Sequence, residues 1–284
     1  MPAALLAAAM PAAAARAQDS PAWPEPDGTL VLARPFGRSE IALRLSRRVA
    51  GAADTLTWNG VAFLADAGVG DALQARLTLD PEADGRQASE AGDPRGEPAA
   101  ARVRSLRAGR SWAETVAPLA WDGPGAAAGP DVILHKRIAL GLPGLGNAIE
   151  VQAGFVLSRP AAAVRFEPLS ATVPAEFTEA WRFDPATGGL DRLDSAPGER
   201  PQPVILALPE GSHALGIWSP APPAGEADAP RAGFAIRPVP GATRLSCVFR
   251  VAQAASGAHD FACYALVGSL TDVRAALRSL TAPE

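Results

Sequence analysis

The sequence predicts an all-β fold, a large antiparallel β-sandwich with one short C-terminal helix. Three observations carry this. Residues 55–64 read TLTWNGVAFL, two runs of strand-forming side chains joined by an Asn59-Gly60 two-residue turn. Short runs of strand-forming side chains recur through the rest of the chain, separated by turn residues rather than by helical periodicity. Only the last segment departs from this. Ser269-Leu270-Thr271-Asp272 resembles a helix cap, and Val273, Ala276, Leu277 and Leu280 follow the i, i+3, i+4, i+7 spacing of an amphipathic helix.

In chain order, an extended Pro-rich lead at 21–26 precedes strand-like runs at 30–32 and 41–45. In the hairpin that follows, pairing around the turn sets Trp58 opposite Val61 and Leu56 opposite Phe63 on one face, with Thr55, Thr57, Ala62 and Leu64 on the other. Further runs fall at 73–79, 132–140, 148–157, 162–168, 178–183, 204–208, 214–218 and 233–238, with turns such as 141–146 and 184–189 between them. Two last runs, RLSCVFRV and HDFACYALVG, flank Ala254-Ala255-Ser256-Gly257 and read as an antiparallel hairpin. A turn there makes Cys247 face Cys263 and Phe249 face Phe261. Such a pair suits a cross-strand disulfide in an oxidising compartment, and it equally suits two small buried hydrophobes. The helix is expected to seal an edge or an end of the sandwich. Residues 80–100 read as a long structureless insert that lies across a cleft, because loops of that length in compact domains are usually functional or mobile.

At 284 residues, with 48% hydrophobic side chains, the chain has material for a sizeable core, and no linker marks a domain boundary. A net charge of -4 with scattered arginines leaves no footprint for a nucleic-acid backbone. The first 17 residues are apolar, lack acids and end in Ala15-Arg16-Ala17, which fits a signal peptide cleaved before Gln18. The expected product is one mature domain, 18–284, periplasmic or secreted, and no later apolar run is long enough to span a bilayer.

The histidines His135, His213 and His259 are isolated, and no Cys or His spacing suits zinc, so neither a metal nor a cofactor is expected. No nucleophile elbow, phosphate loop or dinucleotide fingerprint falls where a strand leads into a helix. What remains is carboxylates and tryptophans. Glycoside chemistry needs two carboxyl groups flanking a sugar, with an aromatic face for its ring and an Arg for its hydroxyls. Glu167, in RFEPLS, has apolar neighbours Val164, Phe166, Pro168 and Leu169 that would desolvate it and raise its pKa as a general acid requires. Glu90 in the long insert is its candidate carboxylate partner. Trp58, Trp181, Arg86, Glu176 and His213 are candidate sugar contacts. The two tryptophans also suit core packing, and His213 suits either a pocket or the exposed start of a strand.

The segments TLTWNGVAFL, ALQA at 72–75, SEAG at 89–92, RFEPLSATVPAEF at 165–177, PEGSHALGIWSP at 209–220, SCVFR and FACYALVGSL together resemble a family of exported bacterial proteins of unassigned activity. Those proteins are similar in architecture to the galactose-mutarotase-like β-sandwiches, so the resemblance implies a supersandwich of that type. In the family pattern an Asp-His-Gly-Arg segment precedes the Leu-Gln pair. Here its His and Arg positions hold Val69 and Asp71, and of the mutarotase Leu-Glu-Pro context only Phe166-Glu167-Pro168 is echoed. Two functions follow from these readings. One is a secreted carbohydrate-interacting protein with glycoside activity, using Glu167 and Glu90 in a concave groove. The other is a noncatalytic glycan-binding or envelope scaffold protein that has lost its polar cluster.

Overall fold

The computed structural model describes residues 22–65, 72–79, 85–92, 102–122, 130–193, 197–220 and 229–282. The candidate signal segment, Val69 and Asp71, and residues 80–84 and 93–100 of the long insert lie outside them. Every strand pairing is antiparallel, in sheets of four, nine and seven strands among the described residues.

The four-stranded sheet runs through Thr29–Phe36, Ser39–Ser46, Ala53–Trp58 and Val61–Ala62. Its last turn is the expected one. Asn59 and Gly60 both have positive φ, the geometry that matches the twist of the flanking strands, and Trp58 pairs with Val61. The Phe63 amide bonds the Leu56 carbonyl at 2.8 Å, as the predicted register requires. Leu64, placed by alternation on the face opposite Phe63, is buried as well, beyond the end of the strand at Ala62.

The nine-stranded sheet is centred on Ala214–Trp218, Gly257–Gly268, Leu145–Leu157 and Val132–Leu142. Trp112–Pro118 and Ser105–Ala108 extend it on one side, and Val204–Ala207, Glu179–Asp184 and Gly189–Arg192 on the other. The seven-stranded sheet has Ala242–Ala254, Ala161–Pro174 and Gln74–Leu79 at its centre. Its flanks are Gly198–Arg200 with Gly233–Val239, and Gln87–Ser89 with Ala120–Trp121. Part of the insert is therefore a strand rather than structureless chain. Pro168 sits inside the Ala161–Pro174 strand where the register slips on both sides, which is how a residue without an N–H is accommodated in a sheet interior.

The two larger sheets stack through one apolar layer that includes Leu134, Ile138, Val151 and Phe155 from the first and Leu77, Phe166, Leu169 and Leu245 from the second. Phe166 packs its ring against Phe155 and Phe261 at 5.1 Å each. Cys247 and Cys263 are joined in a disulfide with Cα atoms 6.5 Å apart, but their strands are not hairpin partners. Ala242–Ala254 belongs to the seven-stranded sheet and Gly257–Gly268 to the nine-stranded one. The short Ala255-Ser256 link carries the chain between layers, so the bridge staples the sandwich, with Phe249 stacked on Phe261 at 4.5 Å beside it. Alternation is the same for both arrangements, which is why the sequence suggested a hairpin.

The helix Leu270–Thr281 starts from the predicted cap: the Ser269 side chain accepts from the Asp272 amide while the Asp272 carboxylate accepts from the Ser269 amide. It covers a face rather than an edge. Val273, Ala276 and Leu277 cluster with Phe183, Ile205, Ala207, Ala214 and Leu266 on the side of the nine-stranded sheet away from the main core. The four-stranded sheet instead closes an end of the sandwich. The Ala65 amide bonds the Thr172 carbonyl, Ala53 bridges to Leu73, and Trp58 meets His213 at 5.2 Å.

Candidate functional site

Alternation along the Ala161–Pro174 strand sends Val164 and Phe166 into the core and Arg165 and Glu167 to the opposite side of the seven-stranded sheet. Neighbouring strands extend this polar face in register. Glu167 lies opposite Arg76, Arg76 opposite Ser89, and Ser170 between Gln74 and Ser246. Arg76, Arg165, Glu167, Gln74, Ser89, Ser170, Thr172 and Ser246 are all buried. Arg165 Nη2 bonds Glu167 Oε1 at 3.1 Å, and the Ser246 hydroxyl donates to the Ser170 oxygen at 3.1 Å. Burial depresses the Arg165 guanidinium pKa, against the pull of Glu167. The Arg165 Nε atom and the Thr172 hydroxyl have no hydrogen-bond partner among the described residues. Buried charged and hydroxyl groups in this number stabilise a fold weakly at best, since their desolvation offsets their attraction.

At the margin of this face stands Asp122, directly after the Ala120–Trp121 strand, its amide bonded to the Gln87 carbonyl at 2.8 Å. Burial raises its carboxyl above the usual range, although Arg76, Arg244 and Arg102 all act to lower it. Arg76 thus stands in register with Glu167 and within electrostatic reach of Asp122. Neither Asp122 nor Arg76 was a sequence candidate. The available signals were slight: an Arg at an outward position of an apolar strand, and a Trp-Asp pair before a Gly/Ala-rich loop.

Glu90 is not on this face. It is fully buried, its carboxylate ion-paired with Lys136 of the nine-stranded sheet and accepting from the Ala75 amide at 3.2 Å. Burial raises its pKa, opposed by Lys136. The structure therefore does not bring Glu90 and Glu167 together: one points between the sheets and the other away from them. Trp58 belongs to the four-stranded sheet, where its indole N–H donates to the Phe36 carbonyl at 3.2 Å. Trp181 lies on the helix side of the nine-stranded sheet, with the Arg192 guanidinium 6.0 Å over its ring. Arg86 stacks over Trp121 at 5.6 Å, close to the polar face. Glu176 is exposed in a turn. His213 is buried between Trp58 and Phe63, so the exposed reading does not hold. Its Nε2 has no hydrogen-bond partner among the described residues, and burial lowers its pKa. Among the described residues no group of three or more His, Cys, Asp or Glu is placed to hold a metal ion, and no helix is long and apolar enough to cross a membrane.

No family model matches the chain and no curated protein does. Solved structures do. A 4-alpha-glucanotransferase from Thermococcus litoralis is 7% identical with a TM-score of 0.50, over 86% of this chain and 40% of that one. A heparan sulfate lyase from Pedobacter heparinus is 10% identical with a TM-score of 0.47, over 86% and 35%. A candidate aldose 1-epimerase from Klebsiella pneumoniae is 8% identical with a TM-score of 0.45, over 88% and 85%. This chain thus spans well under half of the first two. At these identities the likeness is one of fold.

Proposed function

We propose that the protein is an exported carbohydrate-interacting protein whose ligand lies on the outer face of the seven-stranded sheet, with Glu167 and Asp122 as its two carboxyl groups. The observation that carries this reading is the placement of Arg76 between them. A guanidinium flanked by carboxyl groups, with Ser170, Ser246 and Gln74 alongside, offers the paired donors and acceptors that vicinal sugar hydroxyls require. Asp122 takes the role first given to Glu90, because a carboxylate sealed between sheets cannot touch a substrate. Carboxyl groups in unlike environments are the arrangement that acid/base work on a glycosidic bond uses. The Cys247–Cys263 bridge supports an oxidising compartment, and a core shared by all three sheets supports one mature domain at 18–284.

The test is a screen of natural glycans and aryl glycosides against wild type, Glu167→Gln and Asp122→Asn. Hydrolysis that falls at least about 100-fold in either variant supports catalysis by this pair. Activity that survives both substitutions rules it out. Binding that leaves the sugar intact after long incubation, and that both variants weaken, places the protein in the noncatalytic class instead.

A further inference from the structure

Half of the nine-stranded sheet's outer face is covered by the C-terminal helix. The other half, on the strands Ser105–Ala108, Trp112–Pro118, Val132–Leu142, Leu145–Leu157 and Gly257–Gly268, is covered by no other element among the described residues and holds an open depression of about 660 Å³. We propose that this trough is a second binding surface, for an uncharged oligosaccharide, separate from the polar face of the other sheet.

Arg107, Glu114, Arg137 and Gln152 stand opposite one another on four adjacent strands, forming one row across the sheet. The row that includes Ala139, Glu150 and Tyr264 lies on one side, and the row that includes His135, Gly154 and Asp260 on the other. The central row is an alternating ladder of planar groups. Arg107 pairs with Glu114 at 3.2 Å, and Arg137 reaches Glu114 at 3.7 Å and Glu150 at 3.4 Å. Glu150 also accepts from Gln152 at 3.0 Å and from the Tyr264 hydroxyl at 3.0 Å. The Tyr264 phenol, pushed up to about 12 by burial and by Glu150, remains a donor at any physiological pH.

Small residues form the floor. Gly154 and Ala262 lie among the long side chains, and a Cβ on Gly154 would stand 2.5 Å from an Asp260 carboxylate oxygen. Exposed ion pairs of this kind contribute only about 0–1 kcal/mol to stability each, so fold stability does not account for so ordered a set. Their mutual bonds instead hold rotamers that a ligand would otherwise have to order.

The chemistry selects the ligand class. Arg107 and Arg137 against Glu114 and Asp260, with the Lys136 charge paired to Glu90 inside the sandwich, leave no positive surplus for a polyanion. Every strand under the trough except the terminal Ser105–Ala108 is paired on both sides, so an added peptide strand would join at that margin, beside the trough rather than in it. Planar groups that donate and accept in alternation suit hydroxyls that do both. The trough spans four strand spacings, roughly 19 Å, the reach of a short glycan chain rather than a single sugar.

The experiment is calorimetric titration of neutral malto-, cello- and xylo-oligosaccharides of four or more units into wild type, Arg137→Ala, Gln152→Ala and Glu167→Gln, with melting temperatures of each. The expected result is that at least one series binds wild type, weakens about tenfold in Arg137→Ala and Gln152→Ala without loss of melting temperature, and is kept by Glu167→Gln. Absence of millimolar binding in every series overturns the proposal. So does binding untouched by both trough substitutions, or binding lost only in Glu167→Gln, which would support the first face alone.

Discussion

Lys136, the only lysine in a chain whose other basic side chains are arginines, reaches from the nine-stranded sheet to Glu90 beside the seven-stranded one and is ion-paired with it inside the sandwich. Its ammonium also donates to the Gly51 carbonyl at 3.0 Å. Glu90 in turn holds the Ala75 amide, while its own carbonyl accepts from Arg102 at 2.9 Å and the neighbouring Ala91 amide donates to Gln74. The pair thus fixes the segment that carries Gln74 and Arg76 to the polar face.

Removing one partner leaves the other charge buried and unpaired. Lys136→Met and Glu90→Leu are each expected to lower stability by about 3–5 kcal/mol, and the double substitution by much less than their sum. Urea unfolding of the three variants checks this. Lys136→Arg is also expected to destabilise, because the larger planar guanidinium does not fit the place of a compact ammonium held between Gly51 and Glu90.

The inter-sheet disulfide closes a short loop, its cysteines 16 residues apart. In the chain-entropy account such a closure contributes about 3 kcal/mol. Urea midpoints of oxidised wild type and of Cys247→Ala/Cys263→Ala should differ accordingly. Thiol titration of the denatured, unreduced protein should find no free cysteine.

Gly216 lets the C-terminal helix approach the sheet. A Cβ there would stand 2.6 Å from Val273 Cγ1 and 3.4 Å from Ile205 Cγ1. Gly216→Ala is expected to push the helix outward and destabilise by about 1–3 kcal/mol, read by urea unfolding together with faster amide exchange at 273–277.

His213 gives the fold an acid-side sensitivity. Its folded pKa is lowered from 6.5 by burial, so below that value the unfolded chain binds the proton more readily than the native one. Stability is therefore expected to fall as pH drops from 6.5 through the lower folded value. His213→Phe, which keeps an aromatic ring against Trp58 and Phe63, should flatten that part of the pH–stability curve.

The legible parts of the chain were the local ones. Asn59-Gly60 permits a tight turn by its own backbone preferences, and Ser269 with Asp272 makes a cap within one helical turn. What stayed hidden depended on partners far along the chain. Glu90 lies in an Ala/Gly-rich stretch that reads as surface, and only Lys136, 46 residues on, makes it interior. The strands after Cys247 and before Cys263 alternate alike whether they pair or part. Trp112–Pro118 was missed because its outward side chains, Trp112, Glu114 and Val116, show no regular polar alternation. Glu167 stood out in sequence by its apolar neighbours, but alternation turns Val164 and Phe166 into the core and leaves its carboxylate beside Arg165 and opposite Arg76. Asp122 gave no signal, because the guanidinium groups near it come from elsewhere in the chain.

The claim on which the rest depends is that sugar is held on the face bearing Glu167 and Arg76. Its most direct test is a crystal structure of the protein soaked in an oligosaccharide that it binds or cleaves. The expected result is a sugar ring within hydrogen-bond reach of Glu167, Arg76 and Asp122. Sugar seated only on the nine-stranded sheet, with the Glu167 face empty at saturating ligand, would contradict it.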